Sequence, residues 1–359
     1  MKTIPPSPLW KRGVRGDLKG DFQMKETIQY RICTNCILPS TFPGISFNEE
    51  GVCNQCQNYR GDNANNDLKE KYEKKFLDLI QTHCKKSNYD LLLAYSGGKD
   101  STYTLDIFVN RYNLRVLALT FDNTFISERA LVNMQKVCSK LGTDHMIIRP
   151  NPKMIRKIFG VASKEEIYSN KTLERASTIC TSCIGLVKAI LLRTAIEKNI
   201  PFVGFGWSPG QAPIQSSVMK SNAALMKLTQ KAIYEPLHNI VGDAIAPYFL
   251  AEEHFAESEK FPWNVHPLAF LYYNEEKIIE RNKELGWEKP IDTDSNSTNC
   301  LLNAYANQIH KDRYGYHPYV WEIANMVRTG AMTRHDGMEK IGAMENPDMV
   351  NYARKELNL

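Results

Sequence analysis

Six consecutive residues, Ser96-Gly97-Gly98-Lys99-Asp100-Ser101, bring together two hydroxyls, two glycines, a cation and a carboxylate. The run suits a polyanion. Glycines let backbone N–H groups face an anion, and a helix starting there adds unpaired donors and partial positive charge. Ser96 and Ser101 can donate hydroxyls, and Lys99 can neutralise phosphate charge. Asp100 would repel a bare phosphate, which points to a Mg²⁺ ion between the two. The pattern is not the G-x-x-x-x-G-K-[ST] phosphate loop. Phe121, Asp122 and Asn123 end a later apolar run. Asp122 could bond a ribose hydroxyl, help hold Mg²⁺, or simply form a turn.

Cysteines carry the second kind of chemistry. There are nine, an odd number, and six fall in C-x-x-C pairs. That count in a long chain argues against a disulfide framework. Cys33, Cys36, Cys53 and Cys56 form two knuckles separated by the 16 residues 37–52. Four thiolates at this spacing predict a closed structural zinc site, with a rubredoxin-like iron centre as the alternative. Cys180 and Cys183 stand before a helical pattern, where thiol pKa values tend to be lowered. They could be a redox pair or half of a zinc site. With Cys300 they could also supply three ligands of a [4Fe–4S] cluster. Cys84 and Cys138 lie in helical patterns and read as structural.

The elements around these residues follow from periodicity. Apolar runs at 89–95, 115–122, 145–148 and 200–206 read as buried parallel strands. Helical spacing covers 66–86, 100–111, 127–141 and 183–198. Strand–helix alternation implies a doubly wound, mostly parallel α/β sheet, with ligands at the carboxyl ends of the strands. Four regions are expected: a disordered tail at 1–28, a zinc-ribbon module at 29–62, an ATP-binding α/β domain at 63–210, and a mainly helical region at 211–359. The aromatics of the last region, from Tyr234 to Tyr273, read as core. The run His310 to His317 is basic and aromatic, suited either to phosphates or to a solvated loop.

Composition excludes little. The 359 residues carry 45 Lys and Arg against 40 Asp and Glu, a net charge of +5. That is too weak a basic balance to indicate nucleic acid. Part of it sits in the first 25 residues, which hold Lys2, Lys11, Arg12, Arg15, Lys19 and Lys25. No apolar run reaches the roughly 20 residues that span a bilayer, and the basic N-terminus lacks a secretory apolar stretch. The expected location is the cytoplasm.

The Ser96–Ser101 hexapeptide resembles the PP-loop signature of the adenine nucleotide α-hydrolase (HUP-like) superfamily, the ATP-pyrophosphatases. The resemblance implies that ATP is gripped at Ser96, Gly97, Gly98, Lys99, Asp100 and Ser101, with Phe121 and Asp122 lining the adenosine pocket. Lys99 and Asp100 would serve the adenylation step. The cysteine set resembles that of sulfur-inserting tRNA thiolases, which implies a cluster on Cys180, Cys183 and Cys300. The runs Arg31–Pro39, Phe42–Cys53, Ser96–Tyr103, Leu119–Asp122 and Arg328–Arg334 are together similar to the N-acetyl sugar amidotransferase family.

That last resemblance implies adenylation of an amide oxygen on a nucleotide-linked N-acetyl sugar in surface-polysaccharide biosynthesis. Ammonia from a separate glutaminase subunit would then displace AMP and leave an acetamidino sugar. Zn²⁺ on the N-terminal cysteines and a homo-oligomeric state go with it. The alternative is ATP-dependent thiolation of tRNA or a small molecule, using the cluster. The loop Gly204–Pro213 matches neither family. It follows a strand, so it is expected to set acceptor identity.

Overall fold

The sheet has six short strands. They are β1 Leu91–Ala94, β2 Val116–Phe121, β3 Asp144–Ile148, β4 Phe202–Phe205, β5 Val218–Lys220 and β6 Trp263–Val265. They form one sheet in the order β3-β2-β1-β4-β6-β5. All neighbours run parallel except β5, which lies antiparallel on β6. The computed structural model describes residues 31–59, 61–294 and 297–359. The tail expected at 1–28 lies outside the described residues.

Side chains alternate across the sheet with the period of two that strands impose. Leu92, Leu117, Leu119, Phe121 and Val203 enter one core, shared with Ile155, Ile158, Leu186 and Ile190. Leu91, Leu93, Val116, Ala118 and Phe202 enter the other, shared with Phe76, Phe108 and Val137. Both faces are therefore covered. This is why β1 and β2 are unbroken apolar runs and not alternating ones. Phe76 meets Phe108, Tyr112 and Phe202 edge-on at 6.1, 5.0 and 5.5 Å between ring centroids.

Four strands expected from the sequence are present, three with trimmed ends and β3 starting one residue earlier. The other two, β5 and β6, come from the stretch read as helical. Each is only three residues long and carries no alternation a sequence pattern could reveal. The helix expected at 100–111 runs from Lys99 to Asp106 and continues as a wider turn through Ile107–Arg111. The helix expected at 183–198 starts earlier, at Thr178, with Ser177 Oγ accepting from Cys180 N–H. It is long and apolar enough to cross a membrane, which the sequence reading did not anticipate, and half of it is buried in this fold.

The N-terminal cysteine module docks on the C-terminal helices. Ile37, Leu38 and Phe42 share a core with Tyr316, Val320, Ile323 and Ala324. Arg334 donates to the carbonyls of Cys36 at 2.9 Å and Cys33 at 3.0 Å. The Arg328–Arg334 run thus has a structural task, which is to clasp the module.

Strand order reverses between β1 and β4, and a crevice opens at their carboxyl ends. Close backbone approach sets its width. A Cβ on Gly206, just past β4, would lie 2.5 Å from Ser101 Cα and 2.7 Å from Ser101 N. No side chain fits there. Gly206→Ala is expected to lower stability by about 1–3 kcal/mol through overpacking. Gly342→Ala is the control, because a Cβ there meets nothing within 4 Å. Equal urea midpoints for the two variants would sink this account.

Candidate active site at the head of the sheet

Ser96, Gly97 and Gly98 leave β1 and turn into the helix that begins at Lys99. Gly97 has φ +73°, the left-handed region that glycine occupies without strain. The turn is held from several sides. Trp287 Nε1 donates to Gly97 O at 3.0 Å, and Asn282 Nδ2 donates to Lys99 O at 2.8 Å. Ser96 and Ser101 hydroxyls stand 3.0 Å apart. Lys99 N–H donates to Thr298 Oγ1 at 3.2 Å, and Gly98 N–H donates to Ser96 Oγ at 3.4 Å. Hydroxyls therefore occupy donors that an entering anion would take.

The loop opens into a cavity of about 660 Å³. Lys99 Nζ is held there by both Asp100 oxygens, at 2.9 and 2.8 Å, and by Tyr273 OH at 2.8 Å. Tyr273 OH in turn donates to Asp100 Oδ1 at 3.0 Å. Burial alone would push the Lys99 amine down, but Asp100 and Tyr273 push it well above its usual range. It stays protonated. A carboxylate that neutralises it in the free protein must yield it, or share a cation, when phosphate binds.

Across the cavity stands Glu322, which the sequence reading did not single out. Burial pushes its carboxyl up to about 7, against the bond from Ser208 and with the Asp100 charge adding to the rise. Ser208 belongs to the unrecognised loop. Gly210 of the same loop lies so closely against the helix Val320–Arg328 that a Cβ would come within 2.1 Å of Glu322 O. Trp207 stacks on His266 at 4.4 Å, with Lys188 over its other side at 4.7 Å. The loop is a wall of the cavity and not merely a turn. Nothing in the sequence links position 208 to position 322.

All three late cysteines reach the same cavity. Cys180, Cys183 and Cys300 line it together with Ser96, Lys99 and Asp100. Asn123 Nδ2 donates to Cys183 Sγ at 3.3 Å. The segment holding Cys300 lies over the phosphate loop, because a Cβ on Gly98 would meet Thr298 Oγ1 at 3.0 Å. The lowered thiol pKa values expected at a helix start are not found. Burial pushes Cys180 up, and pushes Cys183 and Cys300 up to about 12. Desolvation outweighs the helix end, since the first turn is inside the protein. The three sulfurs are not drawn into one tight set, as the four N-terminal ones are. A four-iron cluster, whose outer ligands sit on separate irons, asks for such a wider spread.

Two other expectations meet different geometry. Phe121 is packed in the sheet core and does not line the cavity. Asp122 is a turn former: its Oδ1 accepts from Thr124 N–H at 2.9 Å and its Oδ2 from Arg149 at 2.6 Å. Asn123 is the residue from that strand end that faces the cavity. In the His310–His317 run, His310, Tyr316 and His317 are buried and Asp312 and Gly315 exposed, while Lys311 pairs with Glu345 at 2.6 Å and Arg313 donates to Ser163 O at 2.8 Å. His310 is fully buried, and burial holds its imidazole down at about 4. Tyr273, counted as core in the sequence, is buried and also the partner of Lys99.

Cys33, Cys36, Cys53 and Cys56 converge, with all four sulfurs within 4.8 Å of one another. Zinc–sulfur bonds of about 2.3 Å in a tetrahedron space the sulfurs about 3.8 Å apart. Cys33 and Cys56 sulfurs are 3.8 Å apart, and Cys36 and Cys53 sulfurs 3.7 Å. Backbone N–H groups of Cys36 and Cys53 donate to Cys33 Sγ at 3.4 and 3.2 Å. Burial raises the Cys33 thiol, and these bonds bring it down to about 7. The set fits one thiolate-bound metal ion closed to ligands.

No family model matches the chain. An uncharacterized protein of Methanocaldococcus jannaschii is 23% identical over 288 residues, covering 79% of this chain and 83% of that one. Among solved structures, a tRNA thiolase from Methanococcus maripaludis, determined with its [4Fe–4S] cluster, aligns at 15% identity with a TM-score of 0.36. That alignment covers 91% of this chain and 88% of the other. An NMN synthetase from Francisella tularensis aligns at 14% identity and TM-score 0.35, covering 81% and 96%. An NH₃-dependent NAD synthetase from Campylobacter jejuni aligns at 17% and 0.27, covering 62% and 98%. Likeness at these scores decides neither fold nor activity.

Two outcomes follow from the site. Cys36→Ala is expected to lose one bound zinc per chain by elemental analysis and to melt at a lower temperature. Full zinc content in that variant would rule out the four-thiolate centre. Glu322 has its folded-state pKa raised, so its protonated form stabilises the fold and that contribution is lost as pH rises through about 7. Glu322→Gln should therefore melt higher than the wild type near about pH 8, with the gain fading toward about pH 5. A pH-independent difference would refute the assignment.

Proposed function

We propose that the chain binds ATP on the Ser96–Ser101 loop and adenylates an amide oxygen, which ammonia then displaces as AMP. One observation carries this reading. The loop lies at the point where strand order reverses, and its Lys99 and Asp100 face the same cavity as Glu322. Lys99 would meet the β,γ-phosphates. Asp100, freed from Lys99, would hold Mg²⁺ through an oxygen ligand. The amide oxygen attacks the α-phosphorus and pyrophosphate leaves. The oxygen is then a phosphate-type leaving group, which lets a weak nucleophile replace it.

Glu322 favours ammonia as that nucleophile. A carboxyl that titrates near neutrality can take the proton the attacking nitrogen must lose. Ammonia adds to the activated carbon, AMP departs with the oxygen, and the proton goes to Glu322. The acceptor in this reading is a nucleotide-linked N-acetyl sugar, and a separate glutaminase supplies the ammonia. Zinc on Cys33, Cys36, Cys53 and Cys56 contributes folding energy and no chemistry.

The cysteines favour a second reading, sulfur transfer to tRNA or a small molecule. Cys180, Cys183 and Cys300 share the cavity with the phosphate loop. A [4Fe–4S] cluster on them would present an open iron able to carry sulfur.

ATP–pyrophosphate exchange and AMP release separate these readings. Lys99→Ala is expected to lower exchange by about 10²–10³-fold, and unchanged exchange would defeat both. Cys180→Ala should keep ammonia-dependent AMP release if the reaction is amidation. Loss of turnover in that variant, together with loss of iron from anaerobically prepared protein, would favour sulfur transfer.

A further inference from the structure

A second cavity of about 530 Å³ adjoins the first. Arg175, Gln211, Tyr273 and Trp321 line both, so the two communicate across these four side chains. The character of the second cavity is distinct. Lys69, Arg175 and Arg328 line it, and no carboxylate does among the described residues. Arg328 is committed elsewhere, with Nη2 3.7 Å from Cys36 Sγ. Lys69 and Arg175 make no salt bridge among the described residues.

The wall is also built for a flat ring. Phe42 stacks on Trp321 at 5.3 Å and 20°. The Arg175 guanidinium lies over Trp321 at 4.5 Å. Phe42 and the Arg175 guanidinium both lie against Trp321, and Trp321 and Arg175 border the cavity. Tyr272, 72% exposed, stands on the same wall. Arginine planes and tyrosine rings are surfaces on which nucleobases stack. Side-chain amides of Asn58, Gln215 and Asn274 provide donors and acceptors for base edges.

We propose that this second cavity binds a nucleoside diphosphate group, the carrier end of the acceptor, with its base on the Arg175 plane and its phosphates drawn to Arg175 and Lys69. The proposal rests on the adenylation reading above for the fate of the other end. An acceptor lying across Arg175 and Gln211 would place its reactive group beside Lys99 and Glu322. The Gly204–Pro213 loop, which lines both cavities through Gln211, would then measure the distance between carrier and reacting group.

The test is calorimetric titration of the full chain with UDP and with GDP. A non-hydrolysable ATP analogue and Mg²⁺ are kept saturating, so the phosphate loop is filled. At least one diphosphate should bind more tightly than inorganic pyrophosphate. Arg175→Ala should weaken it by about tenfold or more, as expected for losing one charge-assisted contact. Lys69→Ala should weaken it less. Binding no better than pyrophosphate, or binding indifferent to both substitutions, would overturn the proposal. So would tighter binding of a short RNA than of either diphosphate, which would mark an RNA surface. Failure of the adenylation reading is a separate result, namely absent ATP–pyrophosphate exchange in a chain that still binds the diphosphate.

Discussion

The contact between Gly206 and the Ser101 backbone fixes the geometry of everything at the head of the sheet. Two strand ends, β1 and β4, leave in different directions, and their loops meet where a side chain cannot stand. Because the approach is backbone to backbone, it cannot relax by a rotamer change. The phosphate loop is therefore placed to within the tolerance of a packed core. The loop after β4 is held at a fixed distance from it. Gly210 repeats the device against Glu322, so one loop carries two glycine contacts and ties the sheet to the C-terminal helices.

Charge is managed around that contact. Lys99 is a buried ammonium kept charged by Asp100 and Tyr273. Glu322 is a buried carboxyl kept near neutrality by desolvation. The two line one cavity, the ammonium held protonated and the carboxyl titrating near neutral pH. Environments that push ionisable groups apart in this way are found where protons and phosphates are handled. The high pKa values of the three late cysteines have the same origin, desolvation by the surrounding protein.

The cysteine module contributes by anchoring. Its four sulfurs sit at the spacing of a tetrahedral metal ion, and Arg328 and Arg334 bind it to the C-terminal helices. Arg328 also lines the second cavity. Arg328 thus joins the module to the wall of a neighbouring cavity.

The sequence by itself determined the local features. A short apolar run closed by a glycine-rich turn reads as a buried strand with a loop at its carboxyl end, because a run of that length is too short for a helix. Paired C-x-x-C knuckles sixteen residues apart bring four sulfurs to one point, as their spacing implies. Four of six strands were legible for the same reason, since both faces of the sheet are covered. Tertiary structure alone decided what meets across the fold. Tyr273 reaches Lys99 from 174 positions away, Ser208 reaches Glu322 from 114, and Thr298 reaches Lys99 from 199. The three-residue strands β5 and β6 exist only because a sheet edge is there to pair with. Periodicity reports on a segment's own surface. It carries no record of which distant surface covers it.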